Sequence, residues 1–211
     1  MNPGDILSVL ESRAAQTGIP LPEVLAQQLT VYYGVLARWN RTINLTSLSD
    51  PVEAVDRLLL EPVAGAAHLP SGVPLIDLGS GGGSPAIPLA LALKSPRLVM
   101  VESRTRKAAF LREVVREIGL EAHVEAGRFE DVAGRDGFRS SFDLLSVRAV
   151  RLDADAFSSI TALLRPSGKA ALFGRLDAED FQHSLPVELS RQSVVSLLAP
   201  TRATLMILRR A

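Results

Sequence analysis

The residues best placed to do chemistry are a glycine turn and a carboxylate about twenty positions beyond it. An apolar run, Val73-Pro74-Leu75-Ile76-Asp77-Leu78, leads into Gly79-Ser80-Gly81-Gly82-Gly83-Ser84-Pro85. Four of the five residues from Gly79 to Gly83 are glycines. They have no packing use, and inside a helix or strand they would lose stability through backbone entropy. A flexible loop is the ordinary account, but the turn sits tightly between a buried-strand pattern and a helix start. It reads as a place where a ligand comes close to the backbone. The next apolar run, Leu98-Val99-Met100-Val101, ends in Glu102, where a strand-end acid can hydrogen-bond ribose hydroxyls. The ordinary alternative for Glu102 is a solvated charge or the cap of a helix starting near Thr105. Asp77 could face a cationic end of the ligand through water or satisfy N–H groups of the turn, and both readings stand.

Three ligand classes compete for such a corner. A P-loop needs a Gly-Lys-Ser/Thr ending, and Gly83-Ser84-Pro85 has none, which argues against nucleoside triphosphates. A dinucleotide fingerprint can be laid over Gly81-Gly82-Gly83-Ser84-Pro85-Ala86. Pyrophosphate, however, needs free N–H groups at the helix start, and Pro85 removes one. S-adenosylmethionine has a ribose and no phosphate. It needs close backbone approach and a strand-end acid, and both are present.

The elements that must position these residues fall into two parts. Before residue 70 the apolar spacing predicts helices over 4–19, over Glu23 to Asn40, and from an Asp50-Pro51 cap through Leu60. Glu61-Pro62 is expected to distort or end the last of these, with a second piece reaching His68. The aromatic residues of the second helix read as core. From Val73 onward, short apolar runs alternate with amphipathic stretches: strands at Val73–Leu78, Leu98–Val101, Ala122–Ala126, Phe142–Val147 and Lys169–Phe173, and helices at Pro85–Leu93, Thr105–Ile118 and Ala154–Leu164. The stretch after Ala126 has little helical signal. This is an α/β pattern, a doubly wound parallel sheet with helices on both faces. Ser193–Leu198 and Thr204–Leu208, joined by Ala199-Pro200-Thr201-Arg202, are too close for a crossover helix and are expected to pair antiparallel at the sheet edge. The expected division is a helical part over 1–70 and a ligand-binding domain over 71–211.

Composition excludes several functions. There is no cysteine, which removes disulfides, thiolate metal sites and cysteine nucleophiles. His68, His123 and His183 have no metal-ligand spacing and read as surface or packing residues, so no metal is expected. No apolar run is long enough to cross a bilayer, and the N-terminal residues lack a signal-peptide pattern. A cytoplasmic protein with no membrane partner, working as a monomer, is the expectation. The formal net charge is zero, which argues against a nucleic-acid coat but allows a local basic face. Arginines outnumber lysines 20 to 3, a skew discounted here as a trait of base composition.

A longer pattern carries a family resemblance. Trp39-Asn40 and Asn44-Leu45-Thr46 precede the turn, which continues through Ile87-Pro88-Leu89. Val101-Glu102-Ser103, Lys107, Phe110-Leu111, Arg128-x-Glu130 and Arg148-Ala149 follow it. Together these resemble the RsmG (GidB) family, S-adenosylmethionine-dependent methyltransferases acting on N7 of a guanine in 16S ribosomal RNA of the small subunit. The resemblance implies a class I methyltransferase fold, Rossmann-like with an antiparallel C-terminal hairpin, carrying a small N-terminal helical part. It implies cofactor contacts at Gly79, Ser84, Glu102, Phe129, Glu130 and Arg148, to which Asp77, Gly81 and Gly83 of the turn are added. Asn40, Lys107 and Arg128 match family motifs and, with Arg104, are the candidates for substrate contact. No catalytic base is expected, because N7 has an in-plane lone pair and no proton to lose, so proximity and orientation supply most of the acceleration.

The chain departs from the family pattern at Ser84 and Ala86, at Arg57-Leu58-Leu59-Leu60-Glu61-Pro62 and at Phe173-Gly174. Ser84 replaces an apolar residue, so a more open pocket is expected. Leu58 and Phe173 motivate two alternatives: a methyltransferase for a small molecule or protein, and a non-catalytic module that keeps the cofactor pocket. A nicotinamide dehydrogenase is a distant third. The ordinary role of Arg148 is an ion pair with Asp143 or Asp153, and its functional role is contact with the cofactor carboxylate or RNA.

Overall fold

The structure, a computed structural model, describes residues 3–177, 179–181, 185–199 and 201–211. His183 and Pro200, which entered the readings above, lie outside the described residues. The N-terminal part is helical: α1 (Pro3–Thr17), α2 (Glu23–Trp39), α3 (Pro51–Val55), a π-helical turn (Asp56–Leu60) and α4 (Glu61–Ala66). Apolar spacing places Leu29, Tyr32 and Leu36 of α2 in the core. Asp50 caps α3 as its type predicts, accepting from Glu53 N–H at 2.8 Å with Pro51 in the first turn.

The distortion expected at Glu61-Pro62 is the π-helical turn, and it has a consequence for the site. The Glu61 N–H bonds to the Asp56 carbonyl, and Pro62 has no N–H to give. The carbonyls of Arg57 and Leu58 therefore have no donor four residues on. Each accepts from a side chain elsewhere in the fold: Arg148 Nη1 donates to Arg57 O at 2.5 Å, and Ser84 Oγ to Leu58 O at 2.8 Å.

The remainder alternates as the apolar runs require: β1 (Leu75–Leu78), α5 (Ala86–Leu93), β2 (Leu98–Glu102), α6 (Thr105–Ile118), β3 (Ala122–Ala126), α7 (Phe129–Ala133), β4 (Phe142–Arg148), α8 (Ala154–Leu163), β5 (Leu164–Gly174), β6 (Leu189–Leu198) and β7 (Ala203–Arg210). The seven strands lie in the order β3-β2-β1-β4-β5-β7-β6. The first five run parallel, and β7 is antiparallel to both neighbours. The C-terminal hairpin forms as expected, with β7 inserted between β5 and the edge strand β6.

The expectation of an irregular stretch after Ala126 is corrected by α7. Five residues are too few to show a period, but burial of Val132 and Ala133 stabilises the helix. One face of the sheet shares its core with the N-terminal helices, bringing Leu10, Leu29, Tyr32 and Leu59 together with Leu75, Ile87 and Leu205. The other face buries Phe157 and Ile160 of α8. Strand β1 pairs with β2 on one side and β4 on the other, so the chain direction around the sheet reverses there. The crevice outside the carboxyl ends of β1 and β4 is where such sheets bind ligands. No described helix is long and apolar enough to cross a membrane.

Candidate active site

The glycine turn begins where β1 ends. Gly79, Gly81 and Gly83 have φ of 70°, 50° and 87°, values that a side chain would strain. Two of them also have a packing use, contrary to the expectation above. A Cβ on Gly79 would come within 2.6 Å of Val150 Cγ2, and one on Gly83 within 2.7 Å of Ile87 Cδ1. Gly81 is the open one, where a Cβ would meet nothing nearer than the Gly79 carbonyl at 3.7 Å. The turn is braced from the helical part, because the buried Tyr32 hydroxyl donates to the Gly82 carbonyl at 2.6 Å.

Glu102, at the end of β2, is buried with both carboxylate oxygens oriented. Oε2 accepts from Gly81 N–H at 2.8 Å and Oε1 from Arg104 N–H at 2.7 Å, just ahead of α6. Each oxygen keeps a lone pair for a further donor. The two sequence readings of Glu102, ligand contact and helix-end acceptor, thus meet in one residue.

Two cavities flank the switch point. The first, about 280 Å3, is lined by Gly79, Gly81, Ser84, Glu102, Arg104, Lys107 and Arg148, and closed by Leu45 and Thr46. The second, about 300 Å3, has Gly79 and Ala149 in common with it and is lined by Ser103, Arg128, Phe129, Glu130 and Val150. The fold thus brings together most of the candidate residues, although they are scattered from Gly79 to Arg148 in sequence. Arg128 lies on the rim, 73 % exposed and 3.4 Å from Glu130.

Four candidates sit elsewhere or differently, the first being Gly83, which lines neither cavity and faces Ile87, Tyr32 and Leu111. Asp77 lines neither cavity. It is buried beneath the turn, and its carboxylate accepts from Ser146 Oγ on β4 at 2.5 Å. Burial pushes its pKa up to about 6, against the hydrogen bonds that lower it. Asn40 also stays out of the cavities. Its Oδ1 accepts from Leu45 and Thr46 N–H at 2.8 and 3.0 Å, and its Nδ2 donates to the Thr46 carbonyl at 3.1 Å. Asn40 therefore shapes the loop that closes the first cavity. Arg148 pairs with neither Asp143, which meets Arg165, nor Asp153, which caps α8. It meets the buried Glu61 at 2.6 Å, lies 3.3 Å from Ser84 Oγ and stacks over Phe173 at 5.4 Å from the ring centre. Glu61 lies 87 residues before Arg148, and no local spacing links the two.

Sequence reasoning also missed Tyr32 as a brace for the turn, and Ser103 and Val150 as lining residues. Tyr32 is three residues from Leu29 and four from Leu36, so its apolar spacing masked a polar task.

The arrangement fits S-adenosylmethionine. Open backbone at Gly81 and an oriented carboxylate suit an amino-acid part and a ribose diol. The turn ends in Ser84-Pro85 and offers no phosphate cradle. Among the described residues, no group of three or more His, Cys, Asp or Glu could hold a metal.

The family model described as "rRNA small subunit methyltransferase G" matches residues 25–201. A protein of that name from Stenotrophomonas maltophilia is 41 % identical over 169 residues, covering 79 % of this chain and 76 % of the relative. Another from Yersinia enterocolitica is 33 % identical over 92 % of this chain and 93 % of its own. Among solved structures, an MtNAS variant in complex with S-adenosylmethionine aligns over 100 % of this chain and 93 % of its own, with TM-score 0.58 and 15 % identity. The putative methyltransferase yhhF from Escherichia coli aligns over 80 % and 90 %, with TM-score 0.57 and 10 % identity. These two likenesses concern the fold.

Proposed function

The chain belongs to the rRNA small subunit methyltransferase G family, and from that premise we propose that it methylates N7 of a guanine in 16S ribosomal RNA. The observation that carries the site assignment is Glu102, a buried carboxylate with two backbone-oriented oxygens at the edge of a cavity floored by glycine backbone. Glu102 accepts the ribose hydroxyls. The open backbone at Gly81, beside Gly79, receives the amino-acid part, and Phe129 and Glu130 border the space for the base. S-adenosylmethionine, when bound, supplies an electrophilic methyl group on a sulfonium.

The chain's own residues then bind, orient and exclude water. No side chain need take a proton, because N7 of guanine carries none. Arg104 and Lys107, on the wall of the same cavity, are placed to meet RNA phosphate. The target base must leave its stack to reach the site. The ribosomal substrate puts this reaction in the cytoplasm.

The test is methyl transfer from labelled S-adenosylmethionine to small ribosomal subunits from a strain lacking this protein, followed by mass mapping of the RNA. One 7-methylguanosine in 16S RNA is the expected result. No incorporation, or incorporation at another atom, overturns it.

A further inference from the structure

Beyond the end of β4, Arg148 and Ala149 are shared by the cofactor-side cavity and a further cavity of about 360 Å3. Its lining includes Arg57, Glu61, Arg148, Phe173, Arg175 and Thr201. Glu61 is 2 % exposed and holds a buried ion pair with Arg148 through Oε2. Its other oxygen, Oε1, has no hydrogen-bond partner among the described residues. Thr201 is nearby, but its hydroxyl donates to the Leu198 carbonyl at 2.7 Å. A buried carboxylate oxygen left unpaired is destabilising. Such a group in a cavity next to the reacting centre is explained most simply by a ligand donor.

We propose that this cavity receives the target guanine and that Glu61 reads its Watson–Crick edge. Oε1 and the remaining lone pair of Oε2 accept from N1–H and the N2 amino group. The inference rests on the guanine-N7 reading above. Guanine is the RNA base with two adjacent donors on that edge. Adenine presents an acceptor at N1 and cytosine one at N3, both of which a carboxylate repels, and uracil offers a single donor. N7 lies across the ring system from the edge that Glu61 holds, free to face the wall shared with the cofactor side.

The chemistry favours the same residue. The N7 lone pair forms the bond to the methyl carbon, the C–S pair stays with sulfur, and no proton moves. The ring becomes cationic and N1–H more acidic. A carboxylate accepting that hydrogen is then bound more strongly in the transition state than in the ground state.

The approach to the pocket carries two exposed arginines among acids that are already engaged: Asp56 pairs with Arg13, Glu53 with Arg57, and Asp50 caps α3. Arg175 borders both this cavity and an adjoining one of about 640 Å3, which Arg202 also lines. Both arginines are exposed and have no ion-pair partner among the described residues. RNA phosphates flanking the guanine would lie along this side, beside α3 and the β6–β7 turn, rather than along Arg128.

The experiment compares wild type with Glu61→Gln on small subunits reconstituted with guanosine or inosine at the methylated position. Inosine keeps N1–H and lacks the N2 amine. Wild-type kcat/KM is expected to favour guanosine by about ten-fold, the worth of one hydrogen bond to a charged group. Glu61→Gln is expected to lose about ten-fold or more on guanosine and to show little preference between the two. Its affinity for S-adenosylmethionine, by calorimetry, should match wild type. A Glu61→Gln enzyme that keeps the guanosine preference overturns the proposal, since a purely structural Glu61 would leave the ratio unmoved.

Should that variant fail to fold, the exposed Arg175→Glu is read by filter binding of 16S RNA. About ten-fold weaker affinity and a salt slope smaller by about one are expected. Wild-type affinity in Arg175→Glu overturns the proposed approach. If wild type itself transfers no methyl to any guanine N7, the function reading fails and the pocket with it. If wild type methylates N7 and the variants behave as wild type does, the pocket alone fails.

Discussion

The two sides of Arg148 are built on opposite principles. On the proposed cofactor side the site is made from backbone: a turn with three positive-φ glycines and a carboxylate whose two oxygens are aimed by N–H groups of Gly81 and Arg104. On the other side the proposed recognition is made from buried side-chain charge, with Glu61 at the end of a π-helical turn and Arg148 pairing with it while donating to the freed Arg57 carbonyl. The centre of the first site, the glycine turn with Glu102, is local in sequence and sits within one strand-turn-helix and the next strand end. The second joins residues 57, 61, 148, 173 and 201, which only the fold brings together. Damage to the first should therefore appear as lost ligand affinity. Damage to the second should appear as lost stability.

The largest effect is expected from Arg148→Leu. It leaves Glu61 buried without its counter-charge, and the fold should lose about 3–5 kcal/mol in chemical denaturation. Adding Glu61→Gln should restore most of that, because the uncompensated charge is gone. A stable Arg148→Leu protein that has lost only cofactor affinity would erase the distinction between the two sides. Glu102→Ala comes next. It removes the proposed ribose acceptor and the partner of two N–H groups, so calorimetry should find S-adenosylmethionine binding about 100-fold weaker or worse. The melting temperature should move far less than in Arg148→Leu.

Asp77→Asn tests the buried acid beneath the turn. Folding raises the Asp77 pKa from the ordinary 3.8 to about 6. Between those values the folded state binds more protons than the unfolded one, so wild-type stability falls as pH rises from about 4 to about 6 and stays lowered above that. The amide removes the charge and keeps an acceptor for Ser146. The variant should equal wild type near pH 4 and exceed it at pH 7.5 by up to about 3 kcal/mol. Urea titrations showing the same pH dependence in both proteins would contradict this. The smallest effect is expected from Asn40→Ala, which frees the Leu45–Thr46 loop. Cofactor affinity should fall about five-fold with about 1 kcal/mol less stability, as measured by calorimetry and urea denaturation.

Where the sequence was legible, the code was local. Thr105–Ile118 and Ala122–Ala126 have in the structure the limits their apolar periods predict. The Asp50 cap behaves as its residue type requires, and the antiparallel C-terminal pair follows from a short connection. The five-residue α7 was invisible because it is shorter than the period that would reveal it. Asn40 and Asp77 show the limit for site residues. Both stand in the motif, yet Asn40 shapes a loop and Asp77 lies under the turn, because a motif records which residues are present and not which way they face.

The glycine turn, the acid at Glu102 and the alternation of strands and helices were determined by sequence alone, because strand, turn and helix propensities act over a few residues. The pairing of Arg148 with Glu61, the capture of the Arg57 and Leu58 carbonyls and the cavity around them were decided by tertiary structure. Each depends on a helix losing its regular hydrogen bonds at Pro62 and on the strand that happens to pack beside that defect. No short-range pattern encodes such a meeting.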